Sequence, residues 1–194
     1  MDTEALLQKR IAIATPEDTI VGIGIEGAMD YLKTMVPERR LLELRQEITG
    51  TTSYKSFFRY PMSHLLRLMQ AALKEPGVSL DCHTLMHSCG RHSLRMFLDS
   101  PVGRAVKMIG KGKPMSLLSS VPMSYKPVVS FGVRVFEKTG DNSANVMFQR
   151  ELFGPSWSLG IFNEGYASIS GVQGTARVFD IDDTGSNFII ESIW

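Results

Sequence analysis

The chain lacks most of what would commit it to a specialised class. Two cysteines in 194 residues cannot form a disulfide framework, which points to a reducing, cytoplasmic setting. Lys and Arg number 21 against 20 Asp and Glu, a formal net charge of +1. That balance gives no global reason to expect nucleic acid or an anionic membrane as partner. No apolar run approaches the roughly 18 residues of a membrane-crossing helix, so no membrane insertion is expected. The opening MDTEALLQKR is too acidic, and its apolar run too short, for a signal peptide. G-x-S-x-G, Walker P-loop, H-E-x-x-H and C-x-x-C patterns are missing, so no catalytic residue and no metal site is assigned. What remains is a globular profile, 43% apolar and 21% charged, able to bury one sizeable core and unlike a disordered chain.

Periodicity divides the chain midway. Residues 1–18 form an N-terminal extension or helix, 19–122 read as mainly helical, and 123–194 read as mainly antiparallel strands with one helix at about 157–171. TIVGIGI (19–25) is β-branched and predicts a strand feeding a helix. Pro37 starts a helix with Leu41, Leu44 and Ile48 on one face, ended by Gly50. Pro61 starts another, in which Met62, Leu65, Leu66, Met69, Ala72 and Leu73 follow the i, i+3, i+4, i+7 stripe. A helix at about 79–98, another from Pro101 and a short one within 113–121 follow. Val129, Phe131, Val133 and Val135 then alternate with Ser130, Gly132 and Arg134, the period of a half-buried strand. NVMFQRELF returns as its partner, and TARVFDI with NFIIESIW predicts a second hairpin. The fold class expected is α+β in a single domain: an N-terminal helical layer packed on a small antiparallel sheet built from C-terminal hairpins.

Four patterns resemble functional motifs. Gly22-Ile23-Gly24-Ile25-Glu26-Gly27 fits G-x-G-x-x-G, but the position of the ribose-binding acid falls inside the helix after Pro37. Close packing of a glycine-containing strand on a helix is the expected role. Asp180-Ile181-Asp182-Asp183-Thr184 fits D-x-D-x-T, yet no Lys or Arg follows it, so a hairpin turn is expected. Cys82, His83, His87, Cys89 and His92 are dense potential ligands. At about 100° per residue, Cys82 and Cys89 share a core face, whereas His83 and His87 point to the opposite side and are expected to be solvated. Arg104, Lys107, Lys111 and Lys113 read as a dipole-matched helix end.

The order of the pieces VGIGIEGAMDYL, RYPMSHLLRLMQAAL, HSCGRHSLRMFLDSPVGRAVKMI, VVSFGVRVFE with NVMFQRELFG, and GIFNEGYASISG, with Tyr60-Pro61, Gly103-Arg104 and Trp194, carries a resemblance. Residues 21–194 resemble an uncharacterised paralogous family expanded in myxobacteria. The layout is similar to the 4-vinyl reductase domain, the TRAPP transport-particle subunits and the haem nitric-oxide-binding domain. That resemblance implies an apolar pocket under a helical layer, and commonly a dimer. The haem domain carries Tyr-x-Ser-x-Arg for the propionates, after an axial histidine. Here Tyr54-Lys55-Ser56-Phe57-Phe58-Arg59 has its arginine one position late and precedes His64, His83, His87 and His92. His92 is the axial candidate if haem binds.

Eleven methionines, an adaptable apolar type, favour an internal cavity. Candidate pocket residues are Met62, Met69, Met86, Cys89, His92 and Met96. The expected function is a non-enzymatic regulatory sensor or adaptor, cytoplasmic, binding an apolar small molecule and/or a protein partner or second copy. The alternatives are an enzyme acting on a hydrophobic substrate, with His92 or His64 as acid or base, and a haem-based gas sensor. No nucleic-acid partner is expected, and no cofactor beyond the haem of that alternative.

Overall fold

The structure, a computed structural model, describes residues 2–194 apart from the side chains of Val102 and Ile109. Met1, the first residue of the expected N-terminal lead, lies outside the description. That lead is a helix, α1 (Glu4–Ile13), with the Thr3 hydroxyl accepting from the Leu6 N–H at its start. It is tied down by Arg10, which is fully buried, pairs with the buried Asp2 and donates to the Gly185 carbonyl. Gly154 faces that guanidinium at φ 83°, and a Cβ there would stand 2.5 Å from Arg10 Cζ. Only glycine meets both demands.

The expected strand at 19–25 is shorter than its composition suggests. β1 (Thr19–Val21) ends where α2 (Gly22–Leu32) begins. Ile25, Ala28, Met29 and Leu32 recur at helical spacing and are fully buried, so the helical period outweighs the β-branched residues. The first free N–H groups of α2 donate to the Phe58 and Ser56 carbonyls, in a loop more than twenty residues beyond its end. α3 (Glu38–Thr49) and α4 (Met62–Ala72) follow Pro37 and Pro61, with Gly50 left-handed after α3. Between them β2 (Arg59–Pro61) pairs antiparallel with β1.

α5 (Cys82–Asp99) is the central helix, packed by α2 on one side and by α9 (Pro155–Gly165) on the other. Its contacts are close because glycines remove side chains from them. A Cβ on Gly90 would stand 2.3 Å from the Trp157 carbonyl oxygen, and one on Gly160 would stand 2.1 Å from that of His87. α6 (Pro101–Gly110), α7 (Pro114–Ser119) and α8 (Val121–Ser124) cross towards the sheet.

The second half pairs as antiparallel ribbons. β3 (Val133–Gly140), β4 (Ser143–Gln149), β5 (Thr175–Phe179) and β6 (Phe188–Ile193) lie in the order β3-β4-β6-β5. β3 starts later than alternation predicts. Val129 bridges to Ile20 instead, and Gly132 at φ 73° separates that bridge from the strand. Ala144, Val146 and Phe148 of β4 pair with Ser192, Ile190 and Phe188 of β6, and all six are buried against the helices. The Phe148 and Phe188 rings stack at 4.8 Å. The expected helix at 157–171 is α9 followed by a π-helical turn (Tyr166–Ser170), with left-handed Gly171 after it. The architecture is α+β, with the helical layer on one face of the small sheet.

Candidate functional site

The helical layer does not fill its interior. A cavity of about 250 Å³ lies between the start of α2, the second half of α5, α7, α8 and α9. Ile20, Ile23, Leu94, Phe97, Val106, Leu117, Val121, Val128, Trp157, Ile161, Phe162 and Ile169 supply walls that are almost entirely carbon. Ser124 and Pro127 are its solvent-exposed members and mark the opening. An apolar cavity of roughly 150 Å³ already stays dry and accepts a benzene-sized molecule, whereas pockets for larger organic ligands start near 300 Å³. The space therefore suits a small apolar molecule or part of a longer chain.

Among the described residues, no His, Cys, Met, Lys, Arg, Asp or Glu lines this cavity. Tyr125 and Tyr166 do, and burial pushes both phenols above their ordinary range, so they keep their protons. Tyr125 sits beneath the Arg134 guanidinium, 4.5 Å from its ring centre, and Arg134 in turn pairs with the fully buried Glu151. Among the described residues, the cavity's only hydroxyl groups are these phenols and the serine hydroxyls, with no carboxylate, imidazole, amine or thiol.

The expected pocket residues lie elsewhere. Met62 and Met69 are buried in α4, and Met86 and Cys89 in the core face of α5. None of these borders the cavity, nor does half-buried Met96. His92 is turned towards α2, where its Nε2 is 2.9 Å from Asp30 Oδ2 and its ring lies 5.9 Å from that of Tyr31. His64 meets the Tyr54 hydroxyl at 3.4 Å. Cys82 and Cys89 are free thiols on the core face, and burial pushes Cys82 up to about 12 and Cys89 higher still. His83 and His87 are not solvated as expected. Because α5 is covered on both sides, His83 Nδ1 meets Ser156 Oγ at 2.7 Å and His87 Nε2 meets the Asn163 amide at 3.0 Å. Among the described residues no cluster of metal-ligating side chains exists.

The remaining motifs are structural. A Cβ on Gly22 would strike the Lys55 carbonyl oxygen at 2.3 Å, and one on Gly27 would stand 2.7 Å from Ser93 Cα. The glycine pattern thus serves packing. Asp182 closes the β5–β6 turn by accepting from the Thr184 hydroxyl, the Ser186 and Asn187 backbone N–H groups and the Asn187 amide. Sequence reasoning expected a cavity but missed the residues that line it. Its lining runs from Ile20 to Ile169, and no local pattern marks residues gathered from six separate segments.

This arrangement, helices over a four-stranded antiparallel sheet with a cavity between helices, is similar to that of solved H-NOX domains. The Fe(II) unliganded H-NOX protein from K. algicida shares 16% identity at a TM-score of 0.72, over 90% of this chain and 96% of that one. An oxygen-binding H-NOX domain related to soluble guanylate cyclases shares 8% at 0.68, over 89% and 93%. A third structure, from work on haem distortion in the H-NOX family, shares 9% at 0.69, over 89% and 94%. At such identities the likeness concerns fold alone. The chain itself belongs to the family described as "Protein of unknown function (DUF2378)", whose model matches residues 14–191. No curated protein matches it significantly by sequence.

Haem iron is held by His, Cys, Met or Tyr phenolate. α6 presents Val106 to the cavity, none of the four histidines borders it, and both tyrosines stay protonated. Among the described residues, no cation lines the space to meet propionates. The residues present do not fit haem.

Proposed function

We propose that the chain is a non-enzymatic sensor or adaptor domain whose cavity receives an apolar small molecule. One observation carries the reading: an open cavity of about 250 Å³ walled in carbon, with no ionisable group beyond two protonated phenols. Such a wall recognises a ligand by shape and desolvation and offers little chemistry to transform it. The enzyme alternative has no support in His92 or His64, since neither borders the cavity.

The likeness in fold favours a haem-based gas sensor over an unspecified ligand, and that is the second reading. The side chains around the cavity, which offer iron no ligand and propionates no cation among the described residues, argue against it.

The two separate by titration. With a fluorescent fatty acid whose emission rises in apolar surroundings, saturable binding displaced by an unlabelled apolar competitor is expected. Titration with haemin should leave only the spectrum of the free pigment. A sharp, stoichiometric haem absorbance band together with no saturable probe binding would replace the first reading by the second.

A further inference from the structure

The cavity opening is framed by exposed apolar side chains. Phe57 and Phe58 are 62% and 61% exposed, and Met123 is 71% exposed. Hydrogen bonds place all three beside the opening. The Phe58 and Ser56 carbonyls accept from the Gly22 and Ile23 N–H groups, and Ile23 lines the cavity. The Arg59 guanidinium donates to the Lys126 and Pro127 carbonyls at 3.3 and 3.2 Å, joining this loop to the segment after α8, and Pro127 also lines the cavity. The Lys126 N–H donates to the Met123 carbonyl, which sets that methionine on the same turn.

Charge on the rim loops is predominantly positive: exposed Glu17, whose carbonyl accepts from the Ser130 hydroxyl, lies at the edge, and Glu26, which accepts from the Tyr54 N–H, is neutralised by Arg45. Residues 19–24, 51–60 and 117–130, which meet here, contain Lys55, Arg59 and Lys126 and no Asp or Glu. None of these cations has an ion-pair partner among the described residues; Lys55 instead lies over the Phe58 ring at 5.1 Å. Exposed aromatic and thioether side chains interleaved with unpaired cations suit the boundary of an anionic bilayer. There the apolar tips enter the headgroup region and the cations meet lipid phosphates and carboxylates. A protein partner or a second copy would have to supply acidic groups around an apolar centre, whereas a lipid surface supplies both over any area.

We propose that this rim docks the domain on an anionic lipid surface, with the cavity opening facing the bilayer. The docking stands on the rim alone; only its consequence, that the cavity would draw its apolar occupant from the membrane, rests on the reading above.

Sedimentation with phosphatidylcholine vesicles, with and without phosphatidylserine, tests it. The protein should pellet with phosphatidylserine vesicles and remain in solution with phosphatidylcholine alone. Binding should fall sharply in about 1 M salt, where charges are screened beyond about 3 Å. The exposed pairs Phe57→Ser/Phe58→Ser and Lys55→Glu/Lys126→Glu should each lower binding at least about tenfold. Circular dichroism should match the parent, as these side chains are not in the core. Gly165→Leu, which fills the cavity without touching the rim, should bind vesicles normally, so a failure of docking and a failure of the cavity reading remain distinguishable. Absence of binding to phosphatidylserine vesicles, equal binding by the rim variants, or a change in oligomeric state as their only effect would overturn the proposal.

Discussion

Replacing Gly165 with leucine tests the cavity from inside. Gly165 ends α9 with right-handed helical dihedrals, φ −59° and ψ −44°, so any L-residue fits the backbone. A Cβ there would meet only Leu117 Cδ2, at an ordinary 3.6 Å, and both residues line the cavity. Four carbon atoms would therefore enter empty space. Removing a helical glycine gains about 0.8 kcal/mol, and burying a leucine side chain gains about 1.5–3 kcal/mol less about 0.5–1 of rotamer entropy. Allowing for imperfect fit, a net gain of about 1–2 kcal/mol is expected, raising Tm by roughly 3–6 °C in a chain of this size. The same variant should lose fatty-acid probe binding at least about tenfold, because ligand and side chain compete for one volume. Calorimetry and fluorescence titration read the two effects separately. A lowered Tm, or probe binding equal to the parent, would show that the space is filled or that ligands bind elsewhere.

Gly160→Ala should act in the opposite direction: its Cβ meets the His87 carbonyl oxygen at 2.1 Å, so helix backbones must part. An overpacking cost of about 1–3 kcal/mol outweighs the helical gain of about 0.8, and Tm should fall by a few degrees; an unchanged Tm would contradict the contact. Cys89→Ser places an unpartnered hydroxyl in a fully buried site and should cost about 1–3 kcal/mol in denaturant titrations, while the native thiol resists thiol reagents until the chain unfolds. Asp18 is held below the ordinary carboxylate range, first by its hydrogen bonds to Arg150 at 2.6 and 2.7 Å. Its contribution is therefore complete above about pH 4 and lost as pH falls through the lowered value. Since Arg150 is 46% exposed, Asp18→Asn should cost only about 1–2 kcal/mol at neutral pH, and the cost should shrink steadily as pH falls below about 4, as read by stability against pH.

Much of the fold was legible because its signals are local. The α4 stripe from Met62 to Ala72, the helix-starting prolines at 37, 61 and 101, and the two hairpins follow short-range period and turn chemistry. The core face of Cys82 and Cys89 was equally plain. What was not legible depends on distant partners. α5 reads as amphipathic, yet α9, some 70 residues on, covers the face of His83 and His87. The strand expected at 19–25 yields at Gly22 because the Phe58 and Ser56 carbonyls accept its amides and the helical face is buried. The site was the least legible part. Of the candidate pocket methionines, Met62, Met69 and Met86 are buried in the core away from the cavity, and the walls are ordinary Leu, Ile, Val and Phe of several helices, which carry no sequence mark of a void.

The central claim is that the helical layer holds an apolar molecule without iron. Native mass spectrometry of the protein as purified from cells supplied with a haem precursor tests it most directly. A mass increment that organic extraction identifies as a small apolar molecule, lost in Gly165→Leu, is the result expected. An increment matching iron porphyrin, retained through purification at one per chain, would contradict it.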